Sequence, residues 1–302
     1  MQKLLYIALM LSLIGLASSC GEDSFTQVVE VDLPDHESAI AINALFSDLD
    51  TSLQMLVSNS LGILDTATHA SMKDASVNLY KDDAMWQSFQ FNPTNYRFET
   101  SLMQPLEKGI YRLEVEAEGY KAVMAEQEMP TAVPLVKVEI NEDGAISGEG
   151  ERVDELIVKI DDPGGEENYY ALQGYVEQHY YDQQANDTLY FRNKFYMESL
   201  DQVIQFGDRY DILLTDGAFD GRSYTLRLFT FSDLPFGQEN TRVVMQLVSL
   251  TRDAYLYDRS LNQYYNSIDN PFAEPVVVHN NVDEGYGIFG LSAIEEYIVE
   301  IE

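Results

Sequence analysis

Between Gly109 and Ala117 the residues alternate strictly, with Ile110, Arg112, Glu114 and Glu116 set against Tyr111, Leu113, Val115 and Ala117. Such a pattern suits a strand with one wet and one buried face, because successive side chains of a strand point to opposite sides. The same period of two recurs from Phe25 onward and constrains the chain to a mainly β fold. It predicts strands at Gln27–Asp32, Ala39–Phe46, Leu53–Ser58, Ala75–Lys81, Trp86–Phe91 and Lys121–Glu128. Further strands are expected at Val136–Ile140, Glu155–Asp161, Tyr169–Tyr180, Thr188–Met197, Gln202–Phe206, Ser223–Phe231 and Arg242–Leu250, with closing strands at Pro275–Val278 and Tyr297–Ile301. Asn141–Arg152 reads as a polar loop. Only once does the period lengthen: Ala254, Tyr257, Leu261, Tyr264, Tyr265 and Ile268 recur at three- and four-residue steps, which marks an amphipathic helix over about 252–268. Asn270-Pro271 ends it, since the residue before proline is driven out of helical angles.

Met129-Pro130 and Val133-Pro134 interrupt any ladder, because proline donates no hydrogen bond, and a domain junction is placed there. Ala75–Tyr80, Leu106–Gly109, Tyr111–Leu113 and Gly119-Tyr120 resemble the small β-sandwich of immunoglobulin/transthyretin-like domains, and residues 34–133 are expected to form one. Residues 134–302 are expected to form a larger antiparallel β domain that carries the helix.

The N-terminus has its own pattern. Lys3 precedes an apolar run from Leu4 to Leu16, too short for a bilayer span, which takes about 20 residues. Leu16-Ala17-Ser18-Ser19-Cys20 then ends it in small residues followed by the chain's single cysteine. Residues 1–19 therefore read as a lipoprotein signal peptide and Cys20 as an acylated first residue, with 20–33 a tether and first strand. Gly21-Glu22-Asp23 resembles the surface-export signal of Bacteroidetes lipoproteins. The expected location is the outer membrane, lipid-anchored and facing the exterior.

Against 51 acidic residues stand only 18 lysines and arginines, a net charge of −33. That surface repels phosphate backbones, which are held by clustered basic residues, so nucleic acid is excluded as a partner. It also gives no electrostatic attraction to anionic lipid, leaving membrane attachment to Cys20. One cysteine allows no disulfide within the chain, so stability rests on packing.

No catalytic residue can be nominated. His36, His69, His179 and His279 lie far apart, and no zinc-protease, serine-hydrolase or phosphate-loop motif occurs. No cofactor is expected, although acidic turns could supply calcium with oxygens: Asp161, Asp162, Glu166 and Glu167 around one turn, Asn141, Glu142 and Asp143 in a loop, and Asp216 with Asp220. With so many acids, solvated turns account for most such clusters, and close carboxylate pairs of the kind a glycosidase uses do not discriminate. Trp86, Tyr180, Tyr181, Tyr190, Tyr196 and Tyr210 are candidate stacking residues. Alternation turns about half of any Tyr-rich strand inward, so one of each pair Tyr169-Tyr170 and Tyr180-Tyr181 should be exposed or meet another layer.

Several motifs together resemble one family, the Bacteroidetes lipoproteins grouped as domain-of-unknown-function family 4249. They are Cys20, Val31-Asp32-Leu33-Pro34, Ala41–Phe46 and the turn Asp162-Pro163-Gly164-Gly165-Glu166-Glu167-Asn168-Tyr169-Tyr170. Two more follow at the end, Asn270-Pro271-Phe272-Ala273-Glu274-Pro275-Val276 and Asn280-Asn281-Val282-Asp283-Glu284-Gly285-Tyr286-Gly287-Ile288-Phe289-Gly290. The resemblance implies a non-catalytic envelope lipoprotein, often associated with TonB-dependent outer-membrane receptors, and carries no catalytic residues. A surface glycan or peptide hydrolase and an adhesive surface protein are the alternatives. The motif residues have a structural account that needs no ligand: Gly285, Gly287 and Gly290 permit close backbone approach, Ile288 and Phe289 enter a core, and Asn280 and Asn281 bond neighbouring backbone.

Overall fold

In the computed structural model, the described residues are 36–62, 65–66, 71–182, 186–199, 205–206, 211–232, 234–268, 270 and 272–300. Cys20, the expected strand Gln27–Asp32, His69, residues 202–204, Tyr210, Pro271 and Ile301 lie outside them.

Eight strands come from the first part of the chain: β1 (Ile40–Ser47), β2 (Ser52–Asn59), β3 (Ser76–Lys81), β4 (Ala84–Ser88), β5 (Gln90–Asn92), β6 (Arg97–Ser101), β7 (Ile110–Glu116) and β8 (Val123–Glu128). They pair as β1-β2-β6-β5 and β4-β3-β7-β8. The inward residues of both sets, among them Ile42, Phe46, Met55, Leu79, Phe98, Tyr111 and Leu113, share one core. The alternation at Gly109–Ala117 thus places Tyr111, Leu113 and Val115 fully inside. Asp82 and Asp83 join β3 to β4, both at positive φ, as a two-residue hairpin of the type whose twist matches its strands requires.

The expected strand Trp86–Phe91 is two strands in different sheets. β4 pairs with β3 and β5 with β6, and the chain crosses at Phe89, whose ring stacks on Phe46 with centroids 5.9 Å apart. Phe89 serves the core that both sheets share, so the apolar pattern runs on while the pairing partner changes.

The second part supplies β9 (Leu135–Ile146), β10 (Arg152–Asp161), β11 (Tyr169–Asp182), β12 (Asp187–Phe195), β13 (Gln205–Phe206), β14 (Asp211–Thr215), β15 (Ser223–Thr230), β16 (Thr241–Leu250), helix α1 (Arg252–Ser267) and β17 (Tyr286–Glu300). β15-β10-β9 form a small sheet that covers one face of β14-β11-β16, and Leu156, Val158, Leu172, Leu214, Leu228 and Met245 fill the space between. α1 lies on the opposite face, where Tyr255 packs with Ala171, Leu213 and Val248.

β17 joins the two parts. Residues 286–292 run parallel to β1, and 292–300 run antiparallel to β16, so Ser292 alone is paired on both sides. Phe289, Leu291 and Ala293 enter the first core, while Tyr297 and Val299 pack against the second.

Two other expectations are corrected. The loop Asn141–Arg152 is largely strand: β9 continues to Ile146 and the turn is confined to a few residues, with Ser147 Oγ accepting from Glu149 and Glu151 N–H. Both faces of that arm are wet, so no alternation marks it. Pro275–Val278 is not a strand; Pro275 has no N–H to give a ladder, and Val277 lies in solvent.

Candidate functional site

The turn after β10 and the turn after β14 meet. Asn168 holds its own turn closed by donating Nδ2 to the carbonyls of Pro163 and Glu166, at 3.2 and 3.0 Å. Its N–H and Nδ2 also donate to Asp216 Oδ2 at 2.8 and 3.2 Å. Asp162 accepts from the Tyr170 hydroxyl at 2.6 Å and from Gly221 N–H at 3.0 Å, while Asp220 accepts from Gly165 N–H at 3.0 Å. Each carboxylate therefore stitches one turn to the other.

Asp162, Asp216 and Asp220, which the sequence separates into two acidic clusters, bring carboxylate oxygens within 4.8 Å of one another. Asp162 and Asp216 are buried and Asp220 is exposed. Burial first, with the charges of Asp162 and Asp220 adding to it, raises the Asp216 carboxyl above its ordinary value against the bonds from Asn168. The Tyr170 phenol is likewise raised by burial and by Asp162. These three oxygens could hold a cation; Asp161, Glu166, Glu167, Glu142 and Asp143 are not part of the group.

Beside this junction lies a cleft of about 780 Å³. Its walls are the turn Pro163–Asn168, the segment Gln127–Thr131 where β8 ends, Lys108, Tyr169, and Ser249–Arg252 where β16 ends and α1 begins. The Tyr169 hydroxyl donates to Glu167 at 2.7 Å, while its ring packs against Tyr255 at 5.1 Å. Tyr169 thus faces the cleft and helix side and Tyr170 the core, as neighbours on a strand must. Lys108, Ser249 and Arg252 carry no sequence signal of their own: they come from two distant segments and only the fold brings them together.

The C-terminal motif sits elsewhere. Asn270 Oδ1 accepts from Phe272 N–H at 3.1 Å as the chain leaves α1, and Phe272, Glu274 and Pro275 are exposed. Asn280 Oδ1 accepts from Val282 N–H at 3.3 Å and its Nδ2 donates to Gly285 O at 3.2 Å. Asn281 bonds the backbone of the fully buried Phe289. Gly287, at φ +111°, lies so close to β1 that a Cβ there would stand 1.8 Å from Ile42 O. At Gly290, a Cβ would be 2.8 Å from the Ala254 Cβ of α1. His279 Nε2 pairs with Asp253 Oδ1 at 2.7 Å, and Gln127 Nε2 donates to Asp253 Oδ2 at 2.7 Å, so the segment before β17 is fastened to the helix start and to β8.

Of the candidate stacking residues, Trp86 packs edge-on against Tyr111 in the first core. Tyr180, Tyr181 and Tyr190 are exposed together on the β11–β12 hairpin. Tyr180 pairs with Leu189, and Phe191 shares their face, while Tyr181 and Tyr190 occupy the other. The base of this hairpin is fixed by Glu177, a nearly fully buried carboxylate that accepts from Tyr190 Oη at 2.6 Å and Arg242 Nε at 2.7 Å and pairs with Arg192 at 3.1 Å. Burial opposes its charge, but the Tyr190 hydroxyl and the two guanidiniums hold the carboxyl below its usual range.

Among the described residues no helix is long and apolar enough to cross a membrane. No curated protein matches the chain. The crystal structure of a DUF4785 family protein from Legionella pneumophila subsp. pneumophila str. Philadelphia 1 is similar at 14% identity, over 70% of this chain and 51% of that one, with a TM-score of 0.23. The chain thus spans about half the length of that relative. A family model described as Domain of unknown function (DUF4249) matches residues 26–298, nearly the whole chain, and the protein belongs to that family.

Proposed function

We propose that the protein is an outer-membrane lipoprotein, anchored by acyl chains on Cys20 and facing the exterior, that works without catalysis as a ligand- or partner-binding accessory of a TonB-dependent receptor. The observation that carries this reading is the β11–β12 hairpin, where Tyr180, Tyr181, Leu189, Tyr190 and Phe191 stand exposed on a chain with a net charge of −33. Large exposed aromatics gathered on one element are costly to leave in water and are the residue types that anchor protein interfaces. The anchored base at Glu177 keeps that element in one conformation, which lowers the entropy lost on association. The Leu16–Cys20 pattern, and the family resemblance with it, support the proposed location.

Affinity purification of the tagged, lipidated chain from detergent-solubilised native outer membrane, with mass spectrometry of accompanying proteins, tests the reading. A TonB-dependent receptor recovered in stoichiometric amount is expected. Recovery of the chain alone, or no receptor enrichment over an unrelated lipoprotein, would overturn it.

A further inference from the structure

β12 has an outer edge that no other described strand covers. The direction of its backbone follows from β11. His179 N–H donates to the Asn240 carbonyl, beside β16, at 3.0 Å, so odd-numbered residues of β11 bond towards β16 and even-numbered ones towards β12. Gln178↔Phe191 and Tyr180↔Leu189 are therefore bonded pairs, and the backbone groups of Thr188, Tyr190, Arg192 and Lys194 point outward. Thr188 N–H agrees with this: it donates to Asp187 Oδ1 at 2.8 Å instead of to β11. Natural edge strands are blunted by prolines, bulges or free charges. β12 pairs with β11 over nine consecutive residues without a shift and holds no proline. Its two cations are engaged, Arg192 by Glu177 and Glu296 and Lys194 by Asp211. An edge left in this state is a template for another strand.

The edge also matches itself. When a second β12 runs antiparallel about a two-fold axis at Phe191, Thr188 meets Lys194 and Tyr190 meets Arg192, so all four outward residues are used and about eight ladder bonds form. Any other register carries one of the four past the end of the strand. Phe191 falls opposite its own counterpart in a non-bonded pair, where facing Cα atoms are about 4.5 Å apart and side chains lie closest. Leu189 and Tyr180 of each copy flank that pair, so two exposed stripes merge into one apolar cluster. On the other face a tyrosine ring comes opposite a guanidinium, and no pair sets like charges against each other.

We infer that two copies of the chain join through β12 in this register, continuing the ten-stranded sheet across a two-fold axis. Edge pairing leaves both faces of the sheet open, so the doubled stripe of Tyr180, Leu189 and Phe191 stays accessible to a receptor. The inference goes beyond the receptor role proposed above and does not depend on it. The net charge of −33 on each copy opposes approach at long range, and about 0.15 M salt confines that repulsion to about 8 Å.

Light scattering and sedimentation of the full chain, purified in detergent without receptor at about 0.15 M salt, read the mass of the protein component. A concentration-dependent dimer is expected. The chain's single cysteine is Cys20, so introduced cysteines report the register, with the parent chain as control. Phe191→Cys should give an intermolecular disulfide on oxidation, because a Cα separation of about 4.5 Å lies within the range of about 4.4–6.8 Å that a disulfide spans. Leu189→Cys is offset from its counterpart by four residues, about 13 Å along the strand, and should give none. Phe191→Lys sets two ammonium groups across the axis and should weaken the dimer by about tenfold or more, with the circular dichroism of the monomer unchanged. A monomer at every concentration, a dimer that Phe191→Lys leaves intact, or equal cross-linking of the two cysteine variants would overturn the inference. None of these readouts involves a receptor, so failure of the receptor reading leaves them untouched.

Discussion

Asn281 pairs with Phe289 as a neighbouring strand would: its Oδ1 accepts the Phe289 N–H at 2.9 Å and its Nδ2 donates to the Phe289 carbonyl at 2.7 Å. The need arises from the stagger of β17. Residues 286–292 have β1 on one side, but β16 reaches them only from Ser292 onward. Asn281 fills that open edge at Phe289, and Thr251 does the same at Leu291 through its backbone and Oγ1.

Asn281→Ala should therefore destabilise the protein by about 2–3 kcal/mol, the cost of stranding two buried backbone groups. Asn281→Asp keeps the acceptor but turns a carboxylate oxygen toward the Phe289 carbonyl and Asp253, and should cost at least as much. Urea unfolding with unchanged slope would measure both; a loss under about 0.5 kcal/mol in the alanine variant would contradict the pairing.

Gly287→Ala should be far worse than alanine at an open glycine. A methyl at Gly287 would meet Ile42 O at 1.8 Å on a backbone held at φ +111°, so the β1–β17 ladder must part. Gly237, at φ +65° with nothing within 4 Å of a Cβ, provides the control and should cost about 1 kcal/mol. The expected ranking is loss of cooperative folding or more than about 3 kcal/mol for Gly287→Ala, read by thermal unfolding.

The sequence was legible where one face of a strand is wet and opaque where both faces share one environment. β7 shows its alternation because Tyr111, Leu113 and Val115 are buried and their neighbours are not. β14 was not anticipated, since Ile212 and Leu214 face the second core while Leu213 faces α1, and a run buried on both sides loses its period. β6 was also missed, because Phe98 is the only apolar residue in a five-residue strand. At the site, Asn168, Tyr169 and the acidic turns stood out in the sequence as turn chemistry. The meeting of Asp162 with Asp216 and Asp220 depends on two turns 50 residues or more apart, and the cleft wall of Lys108, Ser249 and Arg252 exists only in three dimensions.

Asp216 should make stability fall as the pH rises. Its folded value is raised above the ordinary aspartate value, chiefly by burial and then by Asp162 and Asp220. The stabilisation it contributes is complete below the unfolded value and is lost as the pH climbs through the raised folded value. Asp216→Asn retains an acceptor for Asn168 and removes the charge, so it should flatten that part of the pH profile and raise stability near neutral pH by about 1 kcal/mol. Unfolding midpoints measured across the acid-to-neutral range in chelator-treated buffer would show this; a variant less stable than the parent at neutral pH would refute it.

Glu177 should have the opposite dependence. Its carboxyl is held low in the fold, so its contribution is present above the unfolded value and lost as the pH falls through the folded one. Glu177→Ala leaves Arg192 and Arg242 without their buried partner and should cost about 3 kcal/mol. The loss should concentrate in the hairpin, so hydrogen exchange is expected to quicken across β12 before it does so in the first core.

The hairpin tip separates association from stability. Tyr180, Leu189 and Phe191 share one exposed face above the anchored base, and none of them belongs to either core. Tyr180→Ser and Phe191→Ser should each shift stability by no more than about 0.5 kcal/mol, as surface changes do. If this face is what a receptor grips, losing either aromatic anchor should lower receptor recovery by about tenfold or more, since a few such residues carry most interface energy. Lys137→Ser, on the exposed part of β9 in the other sheet, removes a surface side chain of similar exposure and should leave recovery unchanged. Quantitative mass spectrometry of the co-purified material reads all three variants, and equal recovery from the tip variants and the control would remove the hairpin from the interface.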